Sequence, residues 1–483
     1  MAGIGFELKK LFREKGLILN FRANLYASIV VAGPMLLGAV LLFAMKYLAY
    51  YAGLSIHDQD VLVVIITYSI LFPLVLTSFI SFVSTRYVAD VLYDDRKDRV
   101  LPSMYGAISI CLAVGVIPWL VFLYLCRLPL SYSFFSFTLF CEAVVVWIQL
   151  SYVNAAKDYR SAVTGFALGI ATGILAGVAL IWLLHFEAIP SLLAGVCLAY
   201  GVMMISFTIV LHRYFPVGVG SSLKFLEWVE KYPSLVLVGF FTTAGLFIHI
   251  LMMWGSPWGV RVIGYFYHAP QYDIPALVAM MTTLVTTVRF VTSVELAFYP
   301  KYRLYFGLLN GGSNLHNLNQ AAQEMITVLK QELFYLAQIQ MLVELILIVV
   351  AGSLIPKLGL GFNLTMIGLF RVLCLGYGLY AVGNSLVLFL LYLSNYRDAM
   401  LAAMTLFVVS AAGTLITLLL PQQYYGFGFV VASFGMFIVA WVQLANYIQR
   451  LDYNIFCRQP IFIREKNGWL TRLARRLDER HSS

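Results

Sequence analysis

Charged residues are scarce in this sequence, because Asp, Glu, Lys and Arg make up only 11% of its 483 residues. Soluble domains usually carry about 25%. Hydrophobic residues reach 61%, which is more apolar surface than a water-soluble core needs. The composition therefore excludes an ordinary soluble globular protein and indicates an all-α polytopic membrane protein.

Paired cysteines and the common enzyme motifs are also missing. The six cysteines are scattered, and none has the spacing of a CxxC pair or a zinc site. The sequence contains no GxxxxGK[ST] phosphate loop, no HExxH and no GxSxG elbow. The acid pair Asp94-Asp95 lies in a basic loop and reads as a solvated turn. We therefore expect no metal, no cofactor and no enzymatic activity.

Long apolar runs are what the sequence has in abundance. A run of about 20 residues crosses the hydrocarbon core as a helix. Twelve spans are predicted, at 25–48, 61–85, 101–126, 131–155, 161–184, 189–211, 233–254, 272–299, 333–354, 364–395, 399–420 and 425–447. With a cytoplasmic N-terminus, 26 of the 32 Lys and Arg fall in cytoplasmic segments, four fall outside and two lie within spans. This asymmetry predicts that both termini are cytoplasmic.

The first 24 residues predict an amphipathic helix on the inner leaflet. Its apolar face is formed by Ile4, Leu8, Leu11 and Phe12. Its basic face is formed by Lys9, Lys10 and Arg13. Charges run throughout and no apolar region precedes a cleavage site, so we do not expect a cleavable signal. The helix is either a simple membrane float or a docking face for a cytoplasmic partner, with Lys9, Lys10 and Arg13 as contact residues.

Weak internal repetition indicates two halves of common origin. FVSTRYVAD ends the second span and FVTSVELAF ends the eighth, about 208 residues later, and a short amphipathic segment precedes the seventh span as another precedes the first. Two six-helix lobes are common in transporters. The predicted parts are the helix 1–24, an N-lobe 25–211, a cytoplasmic linker 212–232, a C-lobe 233–447 and a basic tail 448–483.

Polar residues inside the spans are the candidate functional residues, because each charge there is costly unless it faces protein, water or a counter-charge. The candidates for a substrate path are Glu142, Arg289, Glu295, Glu344, Arg371, Gln149 and Asn384. Carboxylates and amides could hydrogen-bond the hydroxyl and acetamido groups of a sugar. The alternative is structural: an Arg–Glu pair that locks helices together, or side chains that reach the interface, as is favoured for Arg371. Glu295 fits a cytoplasmic mouth and a plain interface position equally well.

Helix breakers interrupt several spans. Gly33-Pro34 in the first span could be a hinge for alternating access, but a static kink is the commoner outcome of such a pair. Residues 313–332 read as a helix that runs into the ninth span.

Four stretches carry a resemblance to a known family. These are MAGIGFELKKLF at the start, TRYVADVLY (85–93) followed by LPSMYGA (101–107), VELAFYPKYRLYFGLLNGG (294–312) and YYGFGFVVA (424–432). Together they resemble the PelG-like inner-membrane proteins of Pel exopolysaccharide systems, nearly end to end.

The resemblance implies more than the residues establish by themselves. Such proteins are similar to the multidrug/oligosaccharidyl-lipid/polysaccharide exporter superfamily, which implies twelve helices in two six-helix lobes around a central cavity. The implied role is export of a polymer rich in N-acetylhexosamine across the bacterial inner membrane for biofilm matrix. The implied partners are a cytoplasmic glycosyltransferase, a cyclic-di-GMP receptor and a repeat-containing membrane scaffold.

Two other functions stay open. An ion-coupled flippase for a lipid-linked oligosaccharide or a small molecule is compatible with the buried Glu142 and Glu344. A non-transporting scaffold for a glycosyltransferase is compatible with the amphipathic start and the basic tail, although a scaffold has little need for charges deep in the membrane.

Overall fold

The computed structural model describes residues 38–156, 159–218, 221–358, 361–451, 453–457 and 468–472. Contacts between residues divide this part of the chain into two compact units, here called the N-unit (38–244, 253–269 and 468–472) and the C-unit (245–252 and 270–457). The predicted helix 1–24, the pair Gly33-Pro34 and most of the basic tail lie outside the described residues. The lobe boundaries inferred from the sequence stay a prediction.

The fold is nearly all helical, as predicted. The helices up to the middle of the chain are α1 (Gly38–Tyr51), α2 (Ile56–Tyr93), α3 (Val100–Cys126), α4 (Leu130–Ala156), α5 (Tyr159–Val178), α6 (Ala188–Tyr214), α7 (Leu226–Lys231) and α8 (Pro233–Trp254). The remaining helices are α9 (Pro270–Met281), α10 (Thr283–Ser293), α11 (Tyr299–Asn310), α12 (Leu315–Leu354), α13 (Leu364–Tyr392), α14 (Tyr396–Leu418) and α15 (Phe427–Gln449).

Eleven helices in the described ranges are long and apolar enough to cross a membrane. Each of the predicted spans from the second to the twelfth overlaps one of them. The shorter apolar helix α1 is the described portion of the predicted first span. The chain is therefore a multi-pass membrane protein.

Small residues allow neighbouring helices to approach closely in both units. A Cβ built on Gly173 of α5 would lie 2.7 Å from the carbonyl oxygen of Gly195 in α6. In the C-unit, a Cβ on Gly428 of α15 would lie 2.4 Å from the carbonyl carbon of Gly413 in α14. Helix association in lipid relies on such van der Waals contact, because no hydrophobic force drives helices together there.

A β-hairpin in the N-unit was not predicted from the sequence. Strands β1 (Val260–Ile263) and β2 (Phe266–His268) are antiparallel, and Gly264 between them has φ +55°. The Tyr68 hydroxyl of α2 donates to the Tyr267 carbonyl at 2.9 Å and accepts from the Tyr267 N–H at 3.0 Å. The hairpin is therefore fixed onto α2 by one side-chain hydroxyl that bonds both backbone groups of Tyr267.

The linker helix α7 is fastened on two sides within the N-unit. Trp228 Nε1 donates to Asp90 Oδ2 near the end of α2 at 2.8 Å. The Glu230 carboxylate accepts hydrogen bonds from the backbone N–H of Leu470 at 2.7 Å and from the Thr471 hydroxyl. A segment near the C-terminus therefore contacts the linker 240 residues earlier in the chain.

Helix α12 continues well beyond a membrane span. Its 40 residues correspond to about 60 Å of helix, twice the hydrocarbon thickness. Met325 and Leu329 in its first half are buried, α11 packs on α12, and Lys301 Nζ of α11 lies 2.8 Å from Glu324 Oε2 of α12. The predicted helix at 313–332 is confirmed, and the stretch between it and the predicted eighth span contains α11.

Candidate functional site

Four polar side chains of the C-unit, here called the polar cluster, meet at a local irregularity in a membrane helix: Thr282, Thr286, Gln340 and Glu344. Helix α9 ends at Met281 and α10 begins at Thr283. Thr282 between them keeps helical backbone angles (φ −65°, ψ −26°), and its N–H bonds to the Ala279 carbonyl three residues earlier instead of four. This one-residue irregularity in the predicted eighth span is here called the helix break. The Thr282 side chain is 7% exposed.

Glu344 of α12 meets this break from the opposite side. Its side chain is 2% exposed, and its Oε1 lies 2.6 Å from Thr282 Oγ1. Gln340 Nε2, one turn earlier on α12, donates to the same oxygen at 2.7 Å. A Cβ on Gly378 of α13 would lie 2.7 Å from Glu344 Cγ, so the absence of a side chain there makes room for the carboxyl group. Thr286 of α10 completes the cluster by donating to Gln340 Oε1.

Arg289 of α10 does not pair with Glu344. Its Nη2 lies 3.2 Å from Glu332 Oε2 of α12, and its guanidinium carbon lies 4.5 Å from the centre of the Tyr335 ring. Both partners of the ion pair are partly exposed, at 30% for Arg289 and 21% for Glu332. This contact joins α10 to α12 and fits the structural alternative for Arg289, an Arg–Glu pair between helices.

The N-unit holds Glu142 and Gln149 on α4. Glu142 is half-buried, its Oε1 would lie 3.4 Å from a Cβ on Gly201 of α6, and its buried Oε2 has no hydrogen-bond partner among the described residues. Gln149 is 2% exposed and donates through Nε2 to Thr208 Oγ1 of α6 at 2.8 Å. Both side chains therefore face α6, seven positions apart on one helix.

The other candidates are dispersed. Arg371 is exposed on α13, and its Nε donates to the Ile348 carbonyl of α12 at 3.1 Å. Asn384 is half-buried further along α13. Glu295 lies in the π-helical turn Val294–Phe298, and its side chain lies outside the described part. Gly33, Pro34, Lys9, Lys10 and Arg13 also lie outside it.

Sequence reasoning missed a second buried cluster in the C-unit. His249 of α8 is fully buried. Its Nδ1 lies 2.7 Å from the Tyr272 hydroxyl of α9 and its Nε2 lies 3.4 Å from the Tyr377 hydroxyl of α13. The ring stacks on Phe429 of α15 with 4.1 Å between ring centres. A lone histidine in an apolar run gives no periodic signal, and its partners are 23 and 128 residues away.

No metal-type cluster of three His, Cys, Asp or Glu side chains occurs in the described ranges. Two surface grooves, of about 380 and 420 Å³, lie on α11 and on the first half of α12 with Lys301. None of the candidate path residues lines either groove.

Comparison with solved structures identifies the fold. The chain is similar to a MOP superfamily transporter from Pyrococcus furiosus, with a TM-score of 0.56, 12% identity, and coverage of 88% of this chain and 96% of the other. It is similar to an outward-facing multidrug resistance MATE family transporter with a TM-score of 0.58, 12% identity and the same coverages. An inward-facing MATE structure gives 0.56 and 13%, over 85% of this chain and 95% of the other. The C-unit and N-unit thus belong to a MATE-like transporter fold.

Sequence comparison identifies the family. No curated protein matches the chain significantly. A family model matches residues 1–456 of the 483, under the description "PelG: Putative exopolysaccharide Exporter (EPS-E)". The match extends over nearly the whole chain, and the fold comparison agrees with it. The chain belongs to the PelG family of exopolysaccharide exporters.

Proposed function

We propose that this protein moves an exopolysaccharide rich in N-acetylhexosamine across the bacterial inner membrane, for the matrix of a biofilm. The observation that carries the proposal is the family match over residues 1–456. The MATE-like fold supports it, because the matched structures are transporters. The protein then acts as a conduit and catalyses no bond change.

The polar residues within the spans are the proposed contacts for the polymer. In the N-unit these are Glu142 and Gln149, and in the C-unit they are Arg289, Glu295, Glu344, Arg371 and Asn384. Enclosed carboxyl and amide groups can bind sugar hydroxyl and acetamido groups once helices separate enough to admit a chain. The triple variant Glu142→Gln, Arg289→Gln, Glu344→Gln should insert and accumulate but export little polymer. Normal export from it would remove these three residues from the path.

The proposed setting is a cytoplasmic membrane with both termini of the protein inside the cell. This follows from the asymmetric distribution of Lys and Arg. The proposed partners are a cytoplasmic glycosyltransferase that supplies the growing chain, a cyclic-di-GMP receptor and a repeat-containing membrane scaffold. The basic side chains Lys9, Lys10 and Arg13 are the proposed docking residues, and Gly33-Pro34 is the proposed hinge.

Removal of the protein from cells separates this function from its alternatives. If the protein is the exporter, cells without it should lose external polymer, while their extracts retain glycosyltransferase activity on a UDP-N-acetylhexosamine. The full chain should restore external polymer. Loss of glycosyltransferase activity together with polymer would favour the scaffold. Recovery of the trapped sugar in a lipid extract would favour the flippase for a lipid-linked oligosaccharide.

A further inference from the structure

The hydrogen bonds around Thr282 do not balance if Glu344 is ionised. Thr282 Oγ1 lies 2.7 Å from the Ala279 carbonyl oxygen and 2.6 Å from Glu344 Oε1. A hydroxyl has one proton to donate. An ionised carboxylate and a carbonyl are both acceptors, so one of the two short contacts would lack a hydrogen. If Glu344 Oε1 carries a proton, it donates to Thr282 Oγ1, Thr282 donates to Ala279, and both contacts are hydrogen bonds.

The orientation of Gln340 is fixed by its other contacts. Its Nε2 lies 3.4 Å from the Thr282 carbonyl oxygen, which can only accept, and its Oε1 accepts from the Thr286 hydroxyl. Nε2 therefore donates to Glu344 Oε1 at 2.7 Å. Oε1 of a protonated carboxyl group can accept this bond while donating its own proton. Gln340 therefore holds the carboxyl group in place without supplying a positive charge.

No counter-charge reaches Glu344 in the described part of the C-unit. On α13 the carboxyl group faces the Cys374 thiol and Gly378, and on the α9–α10 break it faces the Thr282 hydroxyl. Its buried Oε2 has no N–H or O–H partner there. Arg289 forms its ion pair with Glu332. Glu332 precedes Glu344 by 12 residues, which places the two residues about 18 Å apart along α12. Burial of an unpaired carboxylate in such surroundings is costly, and neutralisation avoids the cost.

The donor set fits a proton better than a metal ion. Hard cations such as Na⁺ require several oxygen ligands around them. The groups that approach Glu344 besides the Thr282 hydroxyl are a donating amide nitrogen, a thiol and a glycine. A proton needs one acceptor only, and Thr282 Oγ1 supplies it.

We propose that Glu344 is a proton-binding site that couples proton movement to the helix break at Thr282. The proton comes from water on one side of the membrane and returns to water on the other. When Glu344 loses it, the short contact with Thr282 Oγ1 loses its hydrogen and the carboxylate requires a more polar environment. The α9–α10 break and α12 must then separate or admit water. This inference rests on the proposed transport function and gives it a source of energy.

Infrared spectroscopy of the full-length protein in lipid nanodiscs at neutral pH tests the site directly. The difference between the wild type and Glu344→Gln should contain the carbonyl band of a protonated carboxylic acid. Glu142→Gln, the matched control on α4, should leave that band in place. Thr282→Val should shift the band, because it removes the acceptor for the acid proton. Absence of an acid band in the Glu344→Gln difference spectrum would overturn the proposal.

Two further measurements separate this inference from the proposed function. Sodium added to the wild type should leave its thermal unfolding temperature unchanged; a sodium-dependent rise that Glu344→Gln abolishes would replace the proton with a cation. In sealed vesicles that export polymer, collapse of the pH gradient should slow export by the wild type. Export that ignores the gradient in the wild type would refute the coupling, whereas vesicles with no export at all would refute the transport function and leave the infrared result standing.

Discussion

Arg289 and Glu332 form an ion pair between α10 and α12, with Nη2 3.2 Å from Oε2 and 43 residues between them in the chain. Tyr335, one turn after Glu332, places its ring against the guanidinium. Arg289 lies on α10, seven residues after Thr282, and Glu332 lies on α12, twelve residues before Glu344. The ion pair therefore joins α10 to α12 at a separate place from the polar cluster. An intramembrane arginine that sequence reasoning assigned to a substrate path thus has a definite structural partner.

A double-mutant cycle measures what this pair contributes. Arg289→Gln and Glu332→Gln should each lower the free energy of unfolding by about 1.5–3 kcal/mol, the range for hydrogen bonds to charged groups. The double variant should be little worse than either single one, because both singles remove the same contact. The measurement is unfolding in detergent or nanodiscs. Additive losses of stability would mean that the two side chains act separately. A larger export defect in Arg289→Gln than in Glu332→Gln would indicate that Arg289 contacts the polymer.

Thr282 and its neighbour Thr283 form a matched pair for testing the helix break. Thr282→Val removes the side-chain oxygen that contacts both Ala279 and Glu344, and should lower stability by about 1–3 kcal/mol. Thr283 is buried to the same degree, but its hydroxyl donates to the Met280 carbonyl at 2.7 Å. Thr283→Val should therefore lower the free energy of unfolding by less than Thr282→Val does. Equal effects in thermal unfolding would show that the contact with Glu344 adds nothing.

His249 is the hydrogen-bond partner of two buried tyrosine hydroxyls, so its replacement should lower the free energy of unfolding. His249→Phe keeps an aromatic ring against Phe429 but leaves the Tyr272 and Tyr377 hydroxyls without this partner. A buried polar group that loses its partner costs about 1–3 kcal/mol. Removal of both hydroxyls in the same background, by Tyr272→Phe and Tyr377→Phe, should recover part of the loss. If the added substitutions destabilise further, the hydroxyls have other roles.

The contact between Glu230 and residues 468–472 should depend on pH. Desolvation alone would raise the pKa of Glu230, but hydrogen bonds from the Thr471 hydroxyl and from the N–H groups of Leu470, Thr471 and Gly468 lower it overall. A lowered pKa means that the contact is fully present above the ordinary glutamate value, about 4.3, and is lost as pH falls through the lowered value. Amide exchange at Leu470 and Thr471, corrected for intrinsic rates, should accelerate there.

A substitution provides the control for that pH effect. Glu230→Ala should give fast exchange of the Leu470 and Thr471 amides at every pH, because the acceptor is gone. The amide of Leu226, at the start of the same linker helix, should not change. Protection of Leu470 that survives in Glu230→Ala would show that another group holds the segment.

Hydropathy was sufficient to predict the second to twelfth spans, because each long apolar run must satisfy its backbone polar groups within a helix. The helix break was not predicted, since the threonines 282, 283, 286 and 287 read as ordinary polar residues in an apolar run. Only the approach of Glu344 shows which of them matters. Glu332 was placed in the predicted helix 313–332 that leads into the ninth span, and no pattern in the sequence links it to Arg289.

The hairpin at β1 and β2 illustrates a different gap. Residues 260–268 have the β-branched and aromatic composition of strands around Gly264, which is a local strand signal that differs from the hydropathy of a membrane span. The His249 cluster has no comparable signal, because its members come from α8, α9, α13 and α15. Composition predicts what crosses the membrane, and tertiary packing decides which polar groups meet.

Protection of newly made polymer in inverted membrane vesicles tests the central claim most directly. The cognate glycosyltransferase and a labelled UDP-N-acetylhexosamine are supplied outside the vesicles, and a matched glycosidase is added after synthesis. The account predicts that polymer becomes resistant to the glycosidase only when this protein is present, and that detergent abolishes the resistance. Polymer made in full but wholly digestible, in vesicles that contain the protein and its proposed partners, would contradict the claim that this chain carries the polymer across the membrane.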